Sequence, residues 1–165
     1  MPALAPPFYG SCPCTHISYT LTSTPLIVHA CHCTHCQHES GSAFALNALY
    51  EPDRVIVQDG KEADILRTNV PSEKGGQTMH RCPKCYTVLW STYAAGRDLL
   101  KVVRVGTIDG GVGKLRPDAH LFVGKEKGWM NLDGERVFET VGKKENYWSG
   151  ESLERFRIVV GRGQR

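Results

Sequence analysis

Gln77-Thr78-Met79-His80-Arg81-Cys82-Pro83-Lys84-Cys85-Tyr86-Thr87-Val88-Leu89-Trp90-Ser91-Thr92-Tyr93 is the stretch that decides how this chain reads. Two runs with β-branched and aromatic residues, Gln77 to Arg81 and Thr87 to Tyr93, flank Cys82-x-x-Cys85. That pattern predicts a β-hairpin with two sulfurs at its tip. Cys-x-x-Cys is also a zinc-knuckle spacing, because two cysteines so close can converge on one metal from a single turn.

The remaining cysteines cluster in the same way. Cys12-Pro13-Cys14 is a tighter pair, and Pro13 favours a turn by fixing φ near −65°. Cys31-His32-Cys33-Thr34-His35-Cys36 offers three sulfurs within six residues, for seven cysteines in all. A closed structural zinc takes four protein ligands, whereas an open one takes three plus water or substrate. Zn–S bonds of about 2.3 Å require sulfurs on the order of 3.8 Å apart. We read Cys12, Cys14, Cys82 and Cys85 as one closed structural site. Closing so long a loop would remove much chain entropy from the unfolded state.

Cys31, Cys33 and Cys36 read as a second zinc site, whose fourth position comes from outside the triplet. Water or a substrate thiolate there would make it a Lewis-acid site suited to chemistry between a thiol and an aldehyde. The alternative is closure by a histidine from among His29, His32, His35, His38 and His80, with His38 or His80 the easier candidates. An open site of three sulfurs can also lose zinc or oxidise.

Working outward, short apolar runs alternate with Gly, Pro, Asn and Asp. Strands are expected at 16–21, 26–30, 43–49, 54–57, 63–68, 77–81, 87–93, 99–105 and 120–123. Turns are expected at Lys74-Gly75-Gly76, Asp109-Gly110-Gly111 and Leu132-Asp133-Gly134, among others. Cys33 to Ser40 suits one or two helical turns ended by Gly41. Glu151 to Ile158 suits a short helix or a strand. The chain therefore reads as mainly β. Neither glycine-rich segment matches a phosphate loop, and Ser42, His80 and Asp109 lack the context of a nucleophile elbow.

A chain of 165 residues with 41% apolar and 22% charged residues suits one soluble domain. The net charge of +3 does not call for nucleic acid. No run is long and apolar enough to span a membrane. Met1 to Phe8 lacks the pattern of an export signal, so the expected compartment is the cytosol, or the nucleus, where thiols stay reduced.

The ordered pattern Gly10-Ser-Cys12-x-Cys14, Cys31-His32-Cys33-x-x-Cys36-x-x-x-x-Gly41-Ser42 and Cys82-x-x-Cys85 resembles the Gfa-like family. That family is named for glutathione-dependent formaldehyde-activating enzyme and shares its domain with centromere protein V. Asp118-Ala-His120-Leu-Phe122 and Trp129 are similar to its later region, and the resemblance covers roughly Phe8 to Thr140. It implies a β-tent of antiparallel sheets stapled by a structural zinc, with the same four-plus-three division of cysteines. It also implies a small-molecule thiol partner, glutathione, and condensation with formaldehyde to S-hydroxymethylglutathione or the reverse, a carbon–sulfur lyase reaction.

Residues 8–140 would form this domain, and 141–165 a basic C-terminal extension, partly packed and frayed at its end. The extension carries six basic residues and three glutamates, and it keeps open a second reading, a non-catalytic zinc module binding protein or nucleic acid. A methionine sulfoxide reductase would need a cysteine after Cys85, and there is none. Trp129, in the loop-like Lys127-Gly128-Trp129-Met130, is the expected substrate-pocket wall, with Lys125 and Lys127 nearby.

Two departures from the family pattern carry expectations. Thr15 and Tyr86 stand where the family usually has glycine. Tyrosine tolerates positive φ poorly, so a changed knuckle geometry is expected. Gln37-His38 replaces residues that are commonly basic, which weakens the fit to anionic glutathione.

Overall fold

The computed structural model describes residues 5–70, 73–96, 98–125 and 128–163. The strands are β1 (Phe8–Ser11), β2 (Ser18–Leu21), β3 (Ile27–Cys31), β4 (Ala45–Tyr50), β5 (Val55–Val57) and β6 (Asp64–Val70), then β7 (Glu73–Arg81), β8 (Val88–Tyr93), β9 (Lys101–Arg104), β10 (Ala119–Leu121) and β11 (Val137–Phe138). Among the described residues, the α-helices are α1 (Thr34–Ser40), the single turn α2 (Gly111–Lys114) and α3 (Gly150–Arg162). The protein is mainly β, as expected. Among the described residues, no helix is long and apolar enough to cross a membrane.

A small sheet has the order β1-β2-β5, and a large one the order β11-β10-β3-β4-β9-β8-β7-β6. The sheets are not wholly antiparallel, because β10 runs parallel to both β3 and β11. Asp118 explains the placement. Its carboxylate accepts from the Val28 N–H at 2.8 Å, and its own N–H donates to the Val28 carbonyl at 2.7 Å. These bonds pin the returning chain beside β3.

Strand alternation sorts side chains onto the two faces of the large sheet. Val28, Ala48, Tyr50 and Val103 join Ile17 and, from the small sheet, Tyr19 and Leu21 in the main core. Ile27, His29, Cys31, Asn47, Leu49 and Val102 alternate with them and line a cavity. A second apolar cluster unites Leu26, Ile27, Ala119 and Leu121 with Tyr147 and Trp148, and α3 packs there through Leu153 and Phe156.

Two local expectations change. Lys74-Gly75-Gly76 is strand, not turn, since β6 and β7 pair Val70 with Glu73 and the chain has already reversed. Gly76, at φ 75°, instead sits where the register shifts between Thr68 and Val70, and a left-handed glycine suits such a bulge. The C-terminal extension is firmly tied as far as the described residues reach. Ser149 caps α3 by accepting from the Ser152 N–H. Arg155 donates twice to buried Glu51, each at 2.8 Å, and once to the Thr24 carbonyl at 3.0 Å. The Gln164-Arg165 end lies outside the described residues, as does Lys127.

Candidate metal centres and the cavity beside them

The β7–β8 hairpin carries Cys82 and Cys85 at its tip, as its sequence predicts, and the turn between β1 and β2 carries Cys12 and Cys14. The four sulfurs lie within 4.8 Å of one another. Cys12 and Cys14 are 3.5 Å apart, and Cys14 and Cys82 3.6 Å. These spacings are close to those of sulfurs around one tetrahedral zinc. Backbone N–H groups point at the sulfurs, from Ile17 to Cys12 at 3.3 Å and from Lys84 to Cys82 at 3.4 Å. The Thr87 hydroxyl, then its backbone N–H, hold the Cys85 thiol down to about 6. This donor set fits a thiophilic cation.

The knuckles also answer the question raised by Thr15 and Tyr86. Both keep the left-handed backbone, at φ 55° and 60°. Both positions thus take the conformation that glycine favours, and the side chains there carry local strain. The turns themselves dictate it. Thr15 N–H returns to the Cys12 carbonyl at 2.8 Å, and Tyr86 N–H to the Cys82 carbonyl at 2.9 Å.

The second cluster is assembled by one strand end and one helix start. Cys31 closes β3, Cys33 caps α1 by accepting from the Cys36 N–H, and Cys36 lies in the first turn of the helix. Gly41 ends the helix at φ 62°, as expected. The three sulfurs fall within 4.8 Å of one another, with Cys31 and Cys36 buried and Cys33 half-buried. Cys31 first, then Cys36, hold the Cys33 thiol well below its ordinary range, while Cys36 is pushed up by Cys31 and Cys33. Three sulfurs packed this closely cannot all ionise without a cation between them. They too fit a metal.

Among the described residues, no histidine nitrogen joins this triplet. His38 is exposed, and His80 stacks on Trp90 with ring centroids 5.3 Å apart. His32 is fully buried against His120, its Nε2 3.0 Å from His120 Nδ1. His29 and His35 line the neighbouring cavity. Burial, then the Arg104 charge, push His29 down to about 4.

The cavity beside the triplet has a volume of about 190 Å³ and contains all three cysteines in its wall. Its floor is the alternate face of β3, β4 and β9, and Tyr93, Leu121 and Phe122 extend it. The far wall comes from the C-terminal segment: Val141, Lys144, Tyr147 and Trp148.

Behind α1 lies a buried polar network that the sequence reading missed. Glu39 pairs with Arg104. Arg104 also donates to Asn47 at 2.6 Å and to Ser91 at 3.2 Å. The Gln77 side chain accepts from His35 at 2.9 Å and donates to Ser91 at 2.8 Å and to Tyr93 at 3.1 Å. The signal was polar residues, Asn47 and Ser91, at inward-facing strand positions. Gln37 clamps backbone instead, donating to the carbonyls of His32 and Lys125, each at 2.7 Å.

Trp129 is not brought to this cavity. It is 76% exposed and lines a separate groove with Val123, Gly124 and Met130.

The family model for glutathione-dependent formaldehyde-activating enzyme matches residues 7–125, which include all seven cysteines. The chain belongs to this family. A crystal structure of a Rhodobacter sphaeroides protein is similar at a TM-score of 0.44 and 12% identity, covering 79% of this chain and 98% of that one. A comparison with curated proteins gives no match. The family match stops short of Val141–Trp148, the segment that walls the cavity.

Proposed function

We propose that the protein is a zinc-dependent carbon–sulfur lyase-type enzyme acting on the adduct of a thiol and a small aldehyde. Its family's named pair is glutathione and formaldehyde. The observation that carries this reading is a three-cysteine centre with no fourth protein ligand among the described residues, set in the wall of a cavity.

In this reading Cys12, Cys14, Cys82 and Cys85 hold a structural zinc that staples the two sheets, which suits a β-tent. Cys31, Cys33 and Cys36 hold the second. Zinc held there would supply Lewis-acid activation of a thiol sulfur, keeping it as thiolate and making it a good leaving group.

The chain's own residues orient the rest of the adduct. The Tyr93 hydroxyl accepts from Gln77, which leaves its own proton to donate toward an oxygen in the cavity. Burial, above all, raises its pKa, so the proton is held at neutral pH. Asn47 Oδ1 is occupied by Arg104, which fixes the side chain at the cavity floor. Reduced thiols suit the cytosol or nucleus as compartment.

The test is adduct formation and breakdown followed by exchange NMR with zinc-loaded protein, formaldehyde and a panel of thiols including glutathione. The expected result is acceleration above the spontaneous rate that disappears in Cys33→Ser. Equal rates with wild type and Cys33→Ser would sink the assignment.

A further inference from the structure

We propose that Val141–Trp148, lying beyond the family-matched residues, shapes the cavity to admit a small apolar group and to exclude glutathione. The proposal deepens the reading above only in taking that group to be carried by the reacting thiol.

The argument starts from the wall. Ile27, Leu49, Val102, Leu121, Tyr147 and Trp148 dominate the lining, and no arginine, aspartate or glutamate appears in it among the described residues. Glutathione carries two carboxylates and an ammonium. Burying such charges without partners is costly. Lys144 is the one lining residue whose ordinary state at neutral pH is a full cation, and its ammonium lies over the rings of Phe156 and Trp148, at 4.9 and 6.0 Å. Those contacts draw it toward α3.

Size points the same way. A dry cavity of about 150 Å³ lined by Leu, Ile and Phe accepts benzene. The volume here is about 190 Å³ and the cavity opens to solvent, so it encloses one substituted ring or a short branched chain, while most of a tripeptide would lie outside it.

The wall is fixed, not a loose flap. The Tyr147 hydroxyl donates to the Val141 carbonyl at 2.7 Å and closes the segment on itself. Tyr147 packs on Phe138 and Trp148 on Phe156, at ring separations of 4.9 and 5.5 Å. Arg155 on Glu51 anchors the helix that follows.

The experiment uses the full zinc-loaded chain with 13C-labelled Leu and Val methyls. Phenylmethanethiol, sulfur-free benzyl alcohol and glutathione are titrated separately, and the methyl signals of Leu49, Val102, Leu121 and Val141 are followed. Both aromatic probes are expected to shift these signals, at concentrations about 30-fold or more below any effect of glutathione, the worth of burying one ring. Val141→Arg places a cation at a rim position already 45% exposed, and is expected to narrow that gap at least about fivefold by favouring the anionic tripeptide.

Glutathione saturating these signals as readily as the aromatic probes would overturn the proposal. So would the absence of any shift with either aromatic probe. Benzyl alcohol binding as tightly as phenylmethanethiol would support the cavity's selectivity while removing the thiol-at-metal reading, so the two fail separately.

Discussion

At the residue scale, Thr15 and Tyr86 show what the metal knuckles demand. Each holds φ near 60° directly after the second cysteine of its pair, a conformation glycine reaches at no steric cost and a β-branched residue reaches badly. Thr15→Gly is therefore expected to raise stability by about 1 kcal/mol, read as a higher urea midpoint for the zinc-loaded protein. A lower midpoint would mean the Thr15 hydroxyl bond to the Cys14 carbonyl, 2.8 Å long, outweighs the strain. Tyr86→Gly should gain less, because Arg81 sits 5.1 Å from the Tyr86 ring centroid and that contact would be lost. The sequence made the strain visible but not its resolution. It could show that these side chains disfavour the turn, and not that the turn would win.

At the scale of elements, the determinant of the second centre is how α1 is held. The helix is short, so propensity alone would not keep it in place; Glu39, on Arg104 beneath it, does. Glu39→Ala leaves a buried guanidinium unpaired and is expected to cost about 3–5 kcal/mol, measured by denaturant unfolding. Glu39→Leu with Arg104→Met should recover most of that loss, since an apolar pair needs no partner. A double variant as unstable as Glu39→Ala would contradict this account. Most strands, though not β1 or β11, along with α1 and its Gly41 end and the cysteine-tipped hairpin, were legible in the sequence because period-two patterns and cap residues are local signals. The parallel β10, the polar network and the cavity wall were not. Each depends on residues tens of positions apart meeting face to face, such as Asp118 on Val28 or Trp148 beside Leu49. Trp129, the expected wall, lines a separate groove, and Trp148, just before α3, lines the cavity beside the triplet.

At the scale of the whole molecule, two sulfur clusters set the pH range of stability. Cys85 is held near 6 in the folded chain, below the ordinary thiol value of 9.0. That shift favours the fold above about pH 9 and is lost as pH falls through 6. Cys14 in the same cluster acts in the opposite sense: against a backbone hydrogen bond that lowers it, burial and its neighbouring thiols push it up to about 12. Metal binding decides the direction, since protons compete with the cation for all the thiolates. The urea midpoint is expected to fall steadily from pH 9 to pH 5, and removing metal with a chelator at pH 8 should lower it further. A midpoint that rises toward pH 5 would contradict the assignment of these sulfurs as ligands. The account rests on both clusters holding metal, and the direct measurement is zinc per chain by mass spectrometry, on protein purified under reducing, chelator-free conditions, alongside Cys31→Ser/Cys36→Ser. It predicts two zincs in the wild type and one in the variant. One zinc in both would contradict the second centre and, with it, the proposed chemistry.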